Sequence, residues 1–373
     1  MKWVFWIAAA TIGYAYLGYA AWLWVRSRWA PLPVRRGAAE PAVSAVMVVR
    51  NEEAVIARKL ENLLTLDYPP EKIEAVVVSD GSSDGTAAIL EGFRDNSRVK
   101  TLLKPESQGK ALGLNDGMKL ASGEIVLFTD ARQAIEPAAL RLLVENFADP
   151  AVGCVSGELM LGDPASGETG KGMGLYWRIE KRIRELESAS GSVAGATGAL
   201  YCARRSLLEP LPQGTILDDV LLPMQVVRKG ARAVFDSRAR AWDSPDLGDS
   251  REFSRKVRTL SGNYQLLQLA PWLLSAKNPI RFEFVSHKLS RLAAPFALVA
   301  LLLASFFLPQ PLYRAALWAQ LGFYALSLAA IAGMKIGPLS RVADAARTFV
   351  VLNSAAMVAF INFVTGRKAV WVP

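Results

Sequence analysis

The residues able to do chemistry fall into a few short clusters. Asp218 and Asp219 are adjacent. A carboxylate beside another acid in a partly closed site has its ionisation pushed upward, toward the basicity needed to take a proton from a hydroxyl. The pair also suits a helix start, with Asp218 as N-cap of DVLLPMQVV and Asp219 on its first turn. Arg50-Asn51-Glu52-Glu53, Asp80 and Asp130 each follow a short apolar run, and Lys110 stands after Gln108-Gly109 at the start of a helical pattern, a position suited to anions. These acids and cations are compatible with a nucleotide site. The common phosphate fingerprints are nevertheless missing. SQGK resembles a Walker loop, but GxxxxGK(S/T) needs glycine at Lys104 and a hydroxyl at Ala111. GSVAGATG, residues 191–198, lacks the strand–GxGxxG–helix context of a dinucleotide site. Two cysteines, Cys154 and Cys202, and one histidine cannot build a four-ligand zinc site or a disulfide framework, and a Ser-His-Asp hydrolase would have to rely on His287 alone.

The elements that position these clusters are legible from patterning. Strands are expected over Ala42–Val49, Ile73–Ser79, Val99–Leu103 and Glu124–Thr129. Helices are expected over Glu52–Leu66, Asp84–Arg94, Lys110–Ala121 and Pro137–Asn146. Short apolar runs alternating with amphipathic helices argue an α/β domain over residues 42–275, with a mostly parallel sheet covered on both faces. In such sheets the ligand crevice lies at the carboxyl ends of the strands, and those ends carry Arg50–Glu53, Asp80 and Asp130.

The chain has 373 residues, 52% of them apolar, and carries 43 Lys and Arg against 34 Asp and Glu, a net charge of +9. That apolar share points to membrane spans. Trp3–Val25 holds no charge, and at about 1.5 Å per residue it reaches roughly 35 Å, enough to cross a bilayer. A cleaved leader is the competing reading, but no A-x-A site precedes Arg26. Arg26, Arg28, Arg35 and Arg36 follow against Lys2 alone in front, which puts the amino terminus outside and the α/β domain in the cytoplasm. Three further spans are expected within residues 292–366, with a re-entrant pair as the alternative for the last two. Residues 278–291 (NPIRFEFVSHKLSR) read as an amphipathic helix lying along the membrane face. Much of the positive charge therefore sits beside membrane lipid, no nucleic-acid module appears, and no nucleic-acid partner is expected.

The segments VVRNEEAVIARKLENLL, VVVSDGSSDGT, KPESQGKALGLNDGM, GEIVLFTDA, GATGALYCARRSLL and LDDVLLPMQVVRKG, taken in order, resemble the membrane-bound branch of inverting glycosyltransferase family 2, which includes cellulose- and hyaluronan-synthase-like enzymes. The resemblance covers about residues 42–275. It implies a GT-A fold (a Rossmann-like sheet with helices on both faces) plus transmembrane helices at residues 1–28 and 292–366. The implied enzyme sits in a bacterial-type inner membrane and moves sugar from a nucleotide-sugar donor to a lipid-linked or glycan acceptor. Asp219 then aligns with the catalytic base, beside Asp218. Asp80 and Glu52 contact the nucleotide, Asp84 is a weaker candidate of the same loop, and Arg50 and Lys110 line the donor site. Asp130 takes the first position of the family's Asp-x-Asp metal motif and implies Mg2+ or Mn2+. The third position is Arg132, which can bind phosphate itself. Where synthase relatives carry Gln-x-x-Arg-Trp, this chain has Arg255, Arg258 and Thr259, which implies diphosphate binding without the aromatic that stacks acceptor. Tyr176 and Trp177 offer either an acceptor surface or an interfacial anchor. The competing readings are a membrane-bound nucleotidyltransferase and a catalytically silent nucleotide-sugar-binding subunit.

Overall fold

Strand β1, Val43–Val49, is buried along its whole length, and its side chains alternate between two cores. Val43, Ala45, Met47 and Val49 enter one, Val46 and Val48 the other. β2, Ile73–Asp80, repeats the pattern with Ile73, Ala75 and Val77 against Val76 and Val78. Runs that are apolar on both faces belong to a sheet covered on both sides. The computed structural model describes residues 1–162, 175–243, 249–334 and 337–367, and among these the sheet has eight strands. The others are β3 (Val99–Lys104), β4 (Ile125–Phe128), β5 (Ala134–Ile135), β6 (Val152–Leu161), β7 (Tyr201–Arg204) and β8 (Arg232–Asp243), in the spatial order β3-β2-β1-β4-β7-β6-β8-β5.

The expected parallel half is present: β3, β2, β1 and β4 run parallel, so their carboxyl ends share one edge. Beyond β4 the sheet is mixed. β7 is antiparallel to β4 and β6, β8 runs parallel to β6, and β5 is antiparallel to β8. One core holds α2 (Ile56–Leu64) and α5 (Ala139–Val144); the other holds α4 (Lys110–Leu120) and α7 (Asp218–Arg228). Helix α4 approaches closely through glycine. A Cβ on Gly113 would stand 2.7 Å from Val48, and one on Gly117 2.6 Å from Val46.

Two helices differ from expectation at their starts. α2 begins at Ile56 rather than Glu52 because Asn51 takes a left-handed backbone (φ 55) and the side chains of residues 51 and 53 bond to the neighbouring loop instead. α3 is Thr86–Glu91, and Asp84 accepts the Thr86 N–H (3.0 Å) and the Glu53 N–H (3.1 Å), the behaviour of a helix-start residue.

Among the described residues, four helices are long and apolar enough to cross a membrane: α1 (Lys2–Trp29), α9 (Arg281–Phe307), α10 (Pro311–Ile331) and α11 (Ser340–Val364). The amphipathic stretch expected at 278–291 is continuous with a membrane-length helix: residues 281–291 are the first turns of α9, with Glu283, Ser286 and His287 buried and Arg281 exposed. His287 is 2% exposed, with Nδ1 2.9 Å from Glu187 and Nε2 3.0 Å from Glu180, both on α6 (Leu175–Ser190). Tyr19 of α1 donates to the same Glu187 (2.6 Å), Arg291 donates to Glu180 (2.7 Å), and Arg26 pairs with Glu283. Burial opposes ionisation of Glu180, and His287 and Arg291 overcome it, so its carboxyl is held well below the usual range. His287 is thus a clamp between helices and not a hydrolase base.

Replacing Gly113 by valine should destabilise the α/β domain by about 1–3 kcal/mol through overpacking against Val48. Thermal unfolding in detergent checks this; an unchanged midpoint would mean that α4 can lift off the sheet without cost.

Candidate active site

The site is assembled by loops that leave the parallel strands. After β1, Asn51 Oδ1 accepts the Ser83 N–H (2.8 Å) and Glu53 accepts the Gly85 N–H (2.6 Å), which ties the first loop to the one after β2. Asp80, at the end of β2, is fully buried, and its carboxylate accepts from Ser107 Oγ (2.7 Å) and from the backbone N–H groups of Gln108 (2.9 Å) and Gly109 (2.8 Å). The expected direct contact between Asp80 and a nucleotide therefore meets a carboxylate already engaged by its own chain. Glycine is required where these loops meet. Gly81 has φ 66, and a Cβ there would stand 2.4 Å from the Ser107 nitrogen; Gly109 has φ 93, the turn that points its N–H at Asp80.

Lys110 follows as the first residue of α4. Its ammonium lies 3.0 Å from Asp130 Oδ1 and 3.4 Å from Asp218 Oδ1. Its side chain is 24% exposed, against 42% for Asp130 and 7% for Asp218. Burial would lower the Lys110 pKa, but Asp130 and then Asp218 outweigh it, so the ammonium stays charged well above its ordinary range. Asp218 is the first residue of α7, with Leu217 in the N-cap place and no side-chain cap, so its carboxylate serves Lys110 and not the helix end.

Asp219, next on α7, is half-buried. Burial first, and Asp218 second, push its pKa up to about 6, against the opposing charges of Lys110 and Lys288. A Cβ on Gly198 would stand 3.5 Å from Asp219 Oδ2 and 3.6 Å from Asp130 Oδ2, so both carboxylates face the same small space over that glycine. The 191–198 segment, rejected above as a dinucleotide loop, is instead the floor of the acidic site: the Ala196 N–H donates to the Asp219 carbonyl (2.7 Å) and the Thr197 N–H to Ser156 (3.1 Å). Its signal in the sequence was glycine spacing before a strand, without a helix after it.

The remaining expected residues line the rim. Arg132 is exposed and reaches Glu52 (3.4 Å), joining the ends of β1 and β4; burial raises the Glu52 pKa, and Arg132 opposes that. Arg50 follows β1 directly. On α8 (Asp249–Leu269), Arg255 lies 4.0 Å from Asp243, which also accepts from Gln133 (3.0 Å), so this arginine borders the turn that carries Asp130. Arg258 lies one turn before Gly262 and two before Gln265, and these residues meet Leu217 and Ile216 just ahead of Asp218. Trp177 is 37% exposed on the first turns of α6, and the side chain of Tyr176 lies outside the described residues. Lys59 carried no sequence signal. It is buried and donates to Thr129 Oγ1 (2.8 Å) and the Gln133 carbonyl (2.7 Å), bracketing the Asp130 turn; burial pushes its pKa down to about 7.

An α/β sheet with an acid-lined crevice at its parallel strand ends, joined to membrane-length helices, has the architecture of GT-A folds. Residues 44–211 match the profile described as Glycosyl transferase family 2. Similar curated proteins are the poly-beta-1,6-N-acetyl-D-glucosamine synthases of Staphylococcus epidermidis and Staphylococcus aureus. The first is 26% identical over 235 residues, covering 62% of this chain and 56% of that protein; the second is 26% identical over 230 residues, covering 60% and 55%. The match thus spans little more than half the length of these relatives. Among solved structures, the mannosyltransferase PcManGT from Pyrobaculum calidifontis, in complex with GDP-Man and Mn2+, superposes with a TM-score of 0.73 at 22% identity, covering 98% of this chain and 100% of that one. That likeness shows the fold.

Asp80→Ala removes the acceptor for three donors, each worth about 1.5–3 kcal/mol when the acceptor is charged. Amide exchange at residues 107–109 should become faster; unchanged exchange there would show that the loop holds its shape without Asp80.

Proposed function

We propose that this chain transfers a sugar, with inversion at the anomeric carbon, from a nucleotide-sugar donor to a hydroxyl of a lipid-linked or glycan acceptor at the cytoplasmic face of a bacterial-type inner membrane. The observation that carries the reading is that Asp219 and Asp130 face one space over Gly198, with Lys110 beside them. A base and a group able to help neutralise phosphate charge thereby share one small volume, which supports a displacement at that place. Asp219, with its pKa near 6, is the general base: mostly ionised at neutral pH, it is still basic enough to take the acceptor proton as the hydroxyl oxygen attacks. Lys110, Arg132, Arg255 and Arg258 are the cations that meet the donor diphosphate, while Arg50 and Glu52 border the nucleotide. Asp80 contributes by fixing the loop from which Lys110 projects.

Among the described residues no three His, Cys, Asp or Glu are placed to hold a metal by themselves. A hard cation that keeps waters and shares phosphate oxygens needs few protein ligands, and Asp130, with Oδ2 facing the space over Gly198, fits that need. Mg2+ or Mn2+ bound with the donor would be held by Asp130 and would neutralise charge on the departing diphosphate. The orientation follows from Arg26, Arg28, Arg35 and Arg36, which all come after α1.

Asp219→Asn should bind nucleotide as the wild type does and lose at least about a hundredfold in transfer, the range for removing a general base. Detergent-purified protein with a panel of UDP-, GDP- and TDP-sugars, followed by nucleoside diphosphate release, checks this; undiminished transfer removes Asp219 from the mechanism. Because the working form of Asp219 is the carboxylate, transfer should rise with pH up to about 6 and level off above it. A rate that stays flat well below that pH contradicts the assignment.

A further inference from the structure

Four acids and two cations, Lys110 and Arg132, crowd the rim and floor of the crevice, and the way they pair has a consequence for how the site fills. Arg132, in the place where a second carboxylate would help hold a cation, is turned to Glu52. Lys110 sits among the other three acids. It is 3.0 Å from Asp130 and 3.4 Å from Asp218, and the charge of Asp219 reaches it as well.

We propose that Lys110 is the resident cation of this seat: without donor its ammonium is paired with the Asp130 carboxylate that a divalent cation would need, so the metal enters only together with a nucleoside diphosphate. The inference rests on the glycosyltransferase reading above and assigns an order of binding to that same site.

Three physical points support it. A nearly buried Asp218 beside Asp219 and Asp130 must be compensated by a nearby cation in the donor-free protein, and Lys110 is within ion-pair distance of two of the three. Lysine is a point charge on a flexible stem, and unlike a bound ion it can swing to another anion without leaving the protein. Its stem starts at a helix N-terminus directly after Gly109, a position whose dipole favours an anion nearby. A free divalent ion must displace the ammonium from Asp130 and leave it close to a double positive charge. A diphosphate relieves both costs by accepting Lys110 and by lending oxygens to the metal.

The test is Mn2+ titration of the full-length, detergent-purified protein, with free Mn2+ read by electron paramagnetic resonance. With Mn2+ alone, Lys110→Met should bind at least about tenfold more tightly than wild type, a difference of about 1.4 kcal/mol. Lys110→Arg, which keeps the charge, should resemble wild type, and Asp130→Asn placed in Lys110→Met should remove the gain. For the wild type, UDP or GDP should tighten Mn2+ binding by about tenfold or more. Equal Mn2+ binding by wild type and Lys110→Met, or an affinity in wild type that a bound nucleotide does not change, overturns the proposal. Lys110→Gln serves if the methionine variant does not fold. Wild type that binds neither nucleotide would count against the transferase reading instead, and the comparison with Mn2+ alone would still decide the role of Lys110.

Discussion

The crevice depends on one buried carboxylate, that of Asp80, accepting three hydrogen bonds from residues 107–109. Those bonds fix where α4 begins, and its first residue, Lys110, gathers Asp130 from the end of β4 and Asp218 from the start of α7. Three elements far apart in the chain are thereby held around one ammonium. The close glycine contacts of α4 with β1 hold that helix against the sheet.

Much of this arrangement was readable because period-two alternation and strand-end chemistry are local properties. β1, β2 and β4 could be found from their apolar runs, and parallel pairing then brought Glu52, Asp80 and Asp130 to one edge. What resisted reading depends on partners distant in sequence. That residues 107–109 donate to both oxygens of Asp80 is not visible locally. Residues 278–291 read as amphipathic from Phe282, Phe284, Val285 and Leu289 alternating with Arg281, His287, Lys288 and Arg291, and the two glutamates that meet His287 come from α6, about a hundred residues earlier. Lys59 was invisible for the same reason: a lysine on an amphipathic helix reads as solvated until Thr129 and Gln133 are found over it.

The α/β domain and the apolar helices are one construction. Tyr19 of α1, Glu187 and Glu180 of α6, and His287 and Arg291 of α9 form a buried polar junction, and Phe284 of α9 enters the core that α7 shares. A junction of this kind is strong only while every member is paired, which favours a fixed geometry over a hinged one.

Helix α9, 27 residues or about 40 Å, runs from that junction into its apolar stretch through a π-helical turn at Val285–Leu289 and past Pro295. Because the junction ties it to α1 and α6, the height of Asp219 above that apolar stretch is set by the fold. On the proposed function, an acceptor anchored in lipid would have to present its reacting oxygen at that height, and the bilayer would share in choosing it.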